Sequence, residues 1–143
     1  MLFRSEQVLD ARSQGRFVGA ELEPRPGLRG GHIPGSLNLP YDRLFRKEDD
    51  TLLPPDGLRA AFSEAGLDLE RPVVTTCGSG VSAAVLTLGL YLLGRGEVAV
   101  YDGSWTEWAG RGDTPVELDV RAEYGRAAVG TSITRRAVRL PRF

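Results

Sequence analysis

The chain has 143 residues, enough for one domain with its own core but too few for two. Hydrophobic residues make up 41% and charged residues 26%, which is typical of a soluble globular protein and argues against a disordered or fibrous chain. The formal net charge of −1 argues against whole-molecule attraction to nucleic acid or to an anionic membrane.

The longest apolar stretch, residues 83–93, is interrupted by Thr87 and Gly89 and is far shorter than a membrane span. The first six residues lack the apolar run of a signal peptide. Cys77 is the one cysteine, which rules out an internal disulfide framework and an all-cysteine metal site. We therefore expect a cytoplasmic location, where a lone thiol stays reduced, and neither a metal nor a cofactor.

Short apolar runs alternate with helical patterns along the chain. Strands are predicted at residues 7–10, 36–39, 72–76 and 97–101. One helix is predicted at 57–65, ended by Gly66, and another at 82–93, which is apolar nearly all round and should be buried inside the domain. Strands separated by such helices predict an α/β fold, with a parallel β-sheet flanked by helices on both faces.

The composition changes after Gly112. Residues 113–143 carry scattered arginines, few large apolar residues and no strong helical period. We therefore predict a domain at residues 1–112 and a C-terminal tail of unknown role at 113–143. A loosely attached or disordered tail fits this composition, and a basic docking segment is the alternative.

The loop after the third predicted strand carries the cysteine, in the run Thr76-Cys77-Gly78-Ser79-Gly80-Val81-Ser82. Two glycines let the backbone curl its amide N–H groups toward one point, and the positive end of the next helix lies close by. Such a setting favours the thiolate of Cys77 over the thiol. The carboxyl end of a strand is also where open α/β sheets bind ligands. The alternative is that Cys77 is a small buried hydrophobic residue.

Two other loop chemistries do not fit these residues. A phosphate-binding P-loop needs a lysine followed by Ser or Thr at the helix start, and none is present. A cysteine phosphatase needs an arginine that closes the loop onto phosphate, but the first arginine after Cys77 is Arg95, a whole helix away.

At this point the sequence resembles a known family. Residues 77–82 look like the active-site loop of the mercaptopyruvate sulfurtransferases, a branch of the rhodanese superfamily. Further motifs occur in the family's order: Asp10-Ala11-Arg12 with Gly15-Arg16-Phe17, Glu23-Pro24-Arg25, Gly31-His32-Ile33-Pro34-Gly35 and Tyr101-Asp102-Gly103-Ser104-Trp105. Together they cover residues 7–112 and resemble the C-terminal, catalytic half of the two-domain enzymes. The resemblance implies a rhodanese-like fold.

The resemblance also implies a sulfurtransferase. The Cys77 thiolate would take the sulfane sulfur of 3-mercaptopyruvate, leaving pyruvate and an enzyme persulfide. A thiol, cyanide or a protein acceptor would then remove that sulfur. Thiosulfate-preferring relatives carry basic residues directly after the cysteine, whereas Gly78 and Ser79 are uncharged, so mercaptopyruvate is the favoured donor.

The family's functional residues match positions of this chain. Ser79 corresponds to a loop serine that passes a proton during the first step. Arg16 and Arg25 match arginines that hold the donor's carboxylate and keto oxygen, a task suited to planar guanidinium groups, although each is alternatively a solvated loop arginine. The amide cradle around the sulfur would come from Gly78, Gly80, Val81 and Ser82.

Other conspicuous residues are interpreted as structural. His32, the only histidine, lies in a turn that precedes a strand, and we expect a hydrogen-bonding role there. Trp105 and Trp108 should pack on one helical face. Asp10, at a strand end, is positioned to orient Arg12.

In the family, an N-terminal rhodanese-like domain normally precedes the catalytic one and contributes a histidine and an aspartate that work with the loop serine. We expect such a domain or a second subunit to complete the site. Three functions therefore stay open: a sulfurtransferase, a persulfide carrier that hands sulfur to a partner protein, and a non-catalytic rhodanese module for protein binding. The presence of Cys77 argues against the third, because inactive modules commonly lack the loop cysteine.

Overall fold

Four parallel strands form the sheet at the centre of the fold. The computed structural model describes residues 6–119. Its strands are β1 (Gln7–Asp10), β2 (Leu37–Asn38), β3 (Val73–Thr76) and β4 (Val98–Val100), in the spatial order β2-β1-β3-β4. Its helices are α1 (Gln14–Val18), α2 (Pro55–Glu64), α3 (Ala83–Leu92) and α4 (Ser104–Gly110), with a 3₁₀ helix at Tyr41–Leu44. The predicted parallel α/β fold is confirmed.

Helices cover both faces of this sheet because side chains alternate along the central strands. On one face, Leu9 of β1 packs with buried side chains of α2 and α3, including Phe62 and Leu86. On the other face, Val8 packs with Trp105 of α4. All four residues of β3 are buried, as expected for a strand covered on both faces. The sheet therefore holds the end of β3 rigidly between two cores.

The predicted elements are present with small shifts at their ends. Helix α2 begins at Pro55, two residues before the predicted start, because proline is well tolerated in the first turn. Gly66 follows α2 with φ +87°, a left-handed conformation that suits glycine, so its role as a helix stop is confirmed. Strands β2 and β4 are each shorter than predicted, as edge strands often are.

The expectation that α3 is buried inside the domain is wrong for one of its faces. Leu86 and Leu90 are fully buried, but Leu88 is 45% exposed, Tyr91 65% and Leu92 49%. A helix that is apolar all round carries no pattern to indicate which side faces solvent. Within residues 6–119 nothing covers this second face, and Val100 of the edge strand β4 is exposed as well.

The segment after α4 returns to the body of the domain. Glu117 and His32 form an isolated antiparallel bridge, with backbone hydrogen bonds of 2.9 Å in both directions. The indole N–H of Trp108 donates to the Pro115 carbonyl at 2.7 Å. Residues 120–143, most of the predicted tail, lie outside the described residues. Among residues 6–119, no helix has the length and apolarity that crossing a membrane requires.

Candidate active site

Cys77 directly follows β3, at the carboxyl end of the sheet, and is 2% exposed. Its backbone is anchored on both sides by the start of α4. The Cys77 N–H donates to Ser104 Oγ at 3.2 Å, and the Cys77 carbonyl accepts from the Trp105 N–H at 2.9 Å. The sulfur itself accepts a hydrogen bond of 2.9 Å from the Gly80 N–H. A sulfur that accepts N–H bonds in this way is stabilised when it carries negative charge.

The first turn of α4 also orients the next peptide of the loop. The Gly78 carbonyl accepts from the Thr106 N–H at 3.0 Å and from Thr106 Oγ1 at 2.7 Å. The amides at the start of a helix have no partner inside the helix, and here two of them hold the loop carbonyls. Because a trans peptide is planar, the N–H groups of Gly78 and Ser79 point away from α4. These two N–H groups therefore face the side of the loop that is turned away from α4.

The backbone conformation favours glycine at position 80, and the space beside position 78 is taken by Arg16. Gly80 has φ +98°, and an added Cβ would lie 3.0 Å from the Asp102 carbonyl oxygen. At Gly78 an added Cβ would lie 2.8 Å from Nη2 of Arg16. The absence of a side chain at Gly78 therefore allows the Arg16 guanidinium to approach the loop closely.

A small pocket of about 180 Å³ opens at the cysteine. Six of the eight predicted site residues line it, and Gly80 and Val81 do not. Its lining is Arg16, Glu23, Pro24, Arg25, Leu28, Cys77, Gly78, Ser79, Ser82 and Thr106. Gly80 reaches the sulfur through its amide, whereas the Val81 side chain is 76% exposed. The pocket thus combines a buried sulfur with two guanidinium groups.

Arg16 is held in this pocket by a chain of buried charges. Its Nε and Nη2 donate to Oε2 of Glu23 at 3.0 and 2.6 Å. Oε1 of Glu23 accepts from Arg12 at 2.6 Å, and Arg12 in turn pairs with Asp10 at 2.7 Å. The side chains of Asp10, Arg12 and Glu23 are each 1% exposed, while that of Arg16 is 24% exposed. The alternating charges therefore compensate one another and leave Arg16 accessible at their end.

Arg25 also lines the pocket, and it lies on an exposed part of the 20–30 loop. Its Nη1 donates to Thr106 Oγ1 at 3.3 Å. Within residues 6–119 this is the one hydrogen bond found for Arg25, and no ion pair of its side chain is found there. Arg16 and Arg25 are thus held by different means, the first by a buried carboxylate and the second by a hydroxyl.

The residues interpreted as structural do have structural contacts. Nδ1 of His32 lies 2.7 Å from the Phe17 carbonyl, and the two rings stack at 3.8 Å. Trp105 is buried, and its indole N–H donates to the Arg29 carbonyl at 2.9 Å. Asp10 binds the Arg12 guanidinium, as expected. None of these side chains lines the pocket at Cys77.

A larger, open groove of about 790 Å³ lies elsewhere, between α2 and the edge strand β2. It contains none of the predicted site residues. Size alone does not mark a functional site, and Cys77, the nucleophile that the sequence predicts, lies outside this groove. The pocket at Cys77 is therefore the candidate active site.

Three residues that shape this site were not predicted to belong to it. Glu23 and Ser104 lie inside the quoted motifs Glu23-Pro24-Arg25 and Tyr101-Asp102-Gly103-Ser104-Trp105, so their motifs were the available signal. Ser104 is also fully buried with φ +52°, an uncommon conformation for a side chain other than glycine. Thr106 lies just beyond its motif, and its role depends on contacts with residues far away in the chain.

Comparisons with known proteins identify the family of the chain. The family model for the rhodanese-like domain matches residues 1–111. The chain is 47% identical over 111 residues to the mitochondrial thiosulfate/3-mercaptopyruvate sulfurtransferase 1 of Arabidopsis thaliana, which covers 78% of this chain and 29% of that protein. It is 48% identical over 105 residues to the 3-mercaptopyruvate sulfurtransferase of Homo sapiens, covering 73% of this chain and 35% of the human protein.

A solved structure is similar over the same region. The crystal structure of SseA from Escherichia coli, with the rhodanese fold, matches with a TM-score of 0.60 and 42% identity over 71% of this chain and 36% of SseA. The chain therefore spans about a third of the length of the relatives that it matches. The match of the family model over most of the sequence places the chain in the family of rhodanese-like domains.

Proposed function

We propose that the chain is a sulfurtransferase domain in which Cys77 carries the transferred sulfur as a persulfide. One observation carries the proposal: Cys77 Sγ accepts the Gly80 N–H at 2.9 Å inside a pocket that two arginines also line. That environment stabilises an anionic sulfur and can bind a small anion beside it. The names of the Arabidopsis and human relatives support a sulfur-transfer reaction.

The favoured donor is 3-mercaptopyruvate, with thiosulfate as the weaker candidate. A pocket of about 180 Å³ suits a molecule of a few heavy atoms. Arg16 and Arg25 offer two planar guanidinium groups for the donor's carboxylate and keto oxygen. The residues directly after the cysteine, Gly78 and Ser79, add no positive charge for a doubly charged inorganic anion.

The proposed first step forms one S–S bond and breaks one C–S bond. The Cys77 thiolate attacks the sulfur of 3-mercaptopyruvate, and the C–S bonding pair leaves on carbon as the enolate of pyruvate. The thiol proton of the donor ends on that carbon, which becomes the methyl group of pyruvate. We propose that Ser79, which lines the pocket, passes this proton. The transferred sulfur is oxidised to the sulfane level while the carbon is reduced.

In the second step a thiol or cyanide attacks the outer sulfur and restores the Cys77 thiolate. We propose that the proton relay of Ser79 is completed by a further rhodanese-like domain or a second subunit, since the relatives are about three times as long as the matched region. We also propose a reducing compartment such as the cytoplasm, because the chemistry requires a free thiol at Cys77.

The test is to incubate the purified protein with 3-mercaptopyruvate and, separately, with thiosulfate. Pyruvate release and intact mass are followed before and after addition of a thiol, with Cys77→Ser as the matched control. We expect the mass of one added sulfur atom, its loss on addition of the thiol, and repeated pyruvate release, all absent from the variant.

The other results separate the remaining functions. An adduct that forms once, without turnover, would favour a persulfide carrier that needs a partner protein, or a site that needs a proton relay from a further domain or a second subunit. An adduct from thiosulfate alone would reverse the order of the two donors. If neither donor adds sulfur to Cys77, the proposed function is wrong and a non-catalytic rhodanese module becomes the better account.

A further inference from the structure

Thr106 occupies a junction between the sulfur-binding loop and the arginine at the pocket mouth. Its hydroxyl donates to the Gly78 carbonyl at 2.7 Å and accepts from Nη1 of Arg25 at 3.3 Å. Gly78 is the neighbour of Cys77, while Arg25 is separated from Thr106 by 81 residues of sequence. Thr106 itself lines the pocket with Cys77. A single hydroxyl thus connects two walls of the same pocket.

The direction of this hydroxyl is fixed. Its proton is used in the hydrogen bond to the Gly78 carbonyl, so the oxygen is left as an acceptor. The Thr106 backbone cannot move easily, because its own N–H also binds the Gly78 carbonyl at 3.0 Å and it lies in the first turn of α4. The accepting lone pairs therefore keep one direction, toward the side from which Arg25 approaches.

Arg25 needs such an anchor more than Arg16 does. Arg16 is fixed by two hydrogen bonds to a carboxylate that is 1% exposed. Arg25 lies on an exposed loop, and an unanchored arginine side chain loses rotamer entropy when it binds a ligand. Holding Arg25 before the ligand arrives lowers that entropic cost.

We propose that Thr106 is a positioning residue that holds the Arg25 guanidinium at the pocket mouth for the carboxylate of a small keto-acid donor. This inference rests on the proposed function, because the keto-acid donor is taken from it. Thr106 raises the affinity for the donor through Arg25 and takes no direct part in making or breaking bonds. The bond to Thr106 uses one N–H of Nη1 and leaves the other guanidinium donors free for the donor's carboxylate, so the two contacts can coexist.

The experiment measures binding without turnover. All variants are made in the Cys77→Ser background, and the dissociation constant of 3-mercaptopyruvate is measured by isothermal titration calorimetry. The variants are Thr106→Val, which keeps the branched shape but removes the hydroxyl, Thr106→Ser, which restores the hydroxyl, Arg25→Gln, and the double variant Thr106→Val/Arg25→Gln. Thr87→Val is the matched control, because Thr87 Oγ1 bonds Thr75 Oγ1 and the Ala83 carbonyl and does not line the pocket.

We expect Thr106→Val to weaken binding about fivefold, the effect of losing one hydrogen bond to a charged group at a partly exposed position. Thr106→Ser and Thr87→Val should bind as the parent does. The double variant should bind no more weakly than Arg25→Gln alone, because the hydroxyl has nothing left to position.

Three results would overturn the inference. The first is an unchanged dissociation constant in Thr106→Val, and the second is no measurable binding in the parent. The third is full additivity in the double variant, which would show that Thr106 acts without Arg25. The proposed function is judged separately on the chain with Cys77 intact. Binding that follows the expected cycle, in a chain that never forms a persulfide, would support the role of Thr106 and refute sulfur transfer.

Discussion

At the scale of single residues, Glu23 is the buried carboxylate of the site on which two arginines depend for charge compensation. Its carboxylate is 1% exposed and lies between the guanidinium groups of Arg12 and Arg16. Glu23→Gln keeps the shape but removes the charge and one acceptor oxygen, leaving two cations to share a neutral amide. We expect the free energy of unfolding to fall by about 3–5 kcal/mol, as when a buried ion pair loses one partner.

Urea unfolding measured by fluorescence tests this expectation. Glu21→Gln is the matched control: the same substitution two residues away, at an exposed carboxylate that accepts a hydrogen bond from Ser13. Its effect should stay within about 0.5 kcal/mol. Equal stabilities of the two variants would mean that the charge chain through Glu23 contributes nothing to the fold.

The sequence predicts some residues of the site better than others for a physical reason. Cys77 and its glycines are local: a β-branched strand, a loop and a helix start follow one another within a short stretch. Other contacts of the site join residues that are distant in sequence. Arg25 meets Thr106 across 81 residues, and Cys77 meets Ser104 across 27. The spacing of residues along the chain does not predict contacts between such distant positions. A motif therefore indicates that a residue belongs to the site but does not identify its partner.

At the scale of elements, helix α3 was predicted to be buried all round but has one buried and one exposed face. Leu90 is fully buried in the core under the sheet, whereas Leu88, two residues before it, is 45% exposed. We expect Leu90→Ala to lower the free energy of unfolding by about 2–5 kcal/mol, because it opens a cavity in a packed core. Leu88→Ala in the same helix should cost about 1 kcal/mol or less.

Chemical denaturation of both variants checks this difference. The change in helix propensity is the same in both, because each variant replaces a leucine of α3 with alanine. Similar losses for the two would mean that the outer face of α3 is covered in solution by something outside residues 6–119. The exposed side chains Leu88, Tyr91 and Leu92 would then be part of a buried surface.

Elements with a long periodic pattern were predicted well, and short ones were missed. Helix α2 and strand β3 follow directly from their hydrophobic patterns. Helix α1 has five residues and the 3₁₀ helix four, too few for a period to show. Tertiary contacts hold such short elements, as when Ser13 caps α1 by accepting the Arg16 N–H.

At the scale of the whole molecule, composition alone did not show how residues 113–119 relate to the domain. The segment mixes polar residues with Val116 and Leu118, and it hydrogen-bonds to several separate parts of the fold. Arg29 donates to the Thr114 carbonyl at 2.9 Å, and the Asp119 N–H donates to the Val18 carbonyl at 3.1 Å. Backbone hydrogen bonds of this kind depend on where the chain passes and leave no mark in residue type.

These contacts lead to a prediction about the extent of the domain. A chain ended after Asp119 should be more stable than one ended after Gly112 by several kcal/mol. The shorter chain loses the bridge to His32 and the partner of the Trp108 indole, and each such hydrogen bond contributes about 1 kcal/mol. Urea unfolding of the two chains, followed by tryptophan fluorescence, measures the difference. Equal midpoints and slopes of the two urea unfolding curves would place the domain boundary at Gly112, as the composition predicts. The contacts of residues 113–119 would then contribute nothing to the free energy of unfolding.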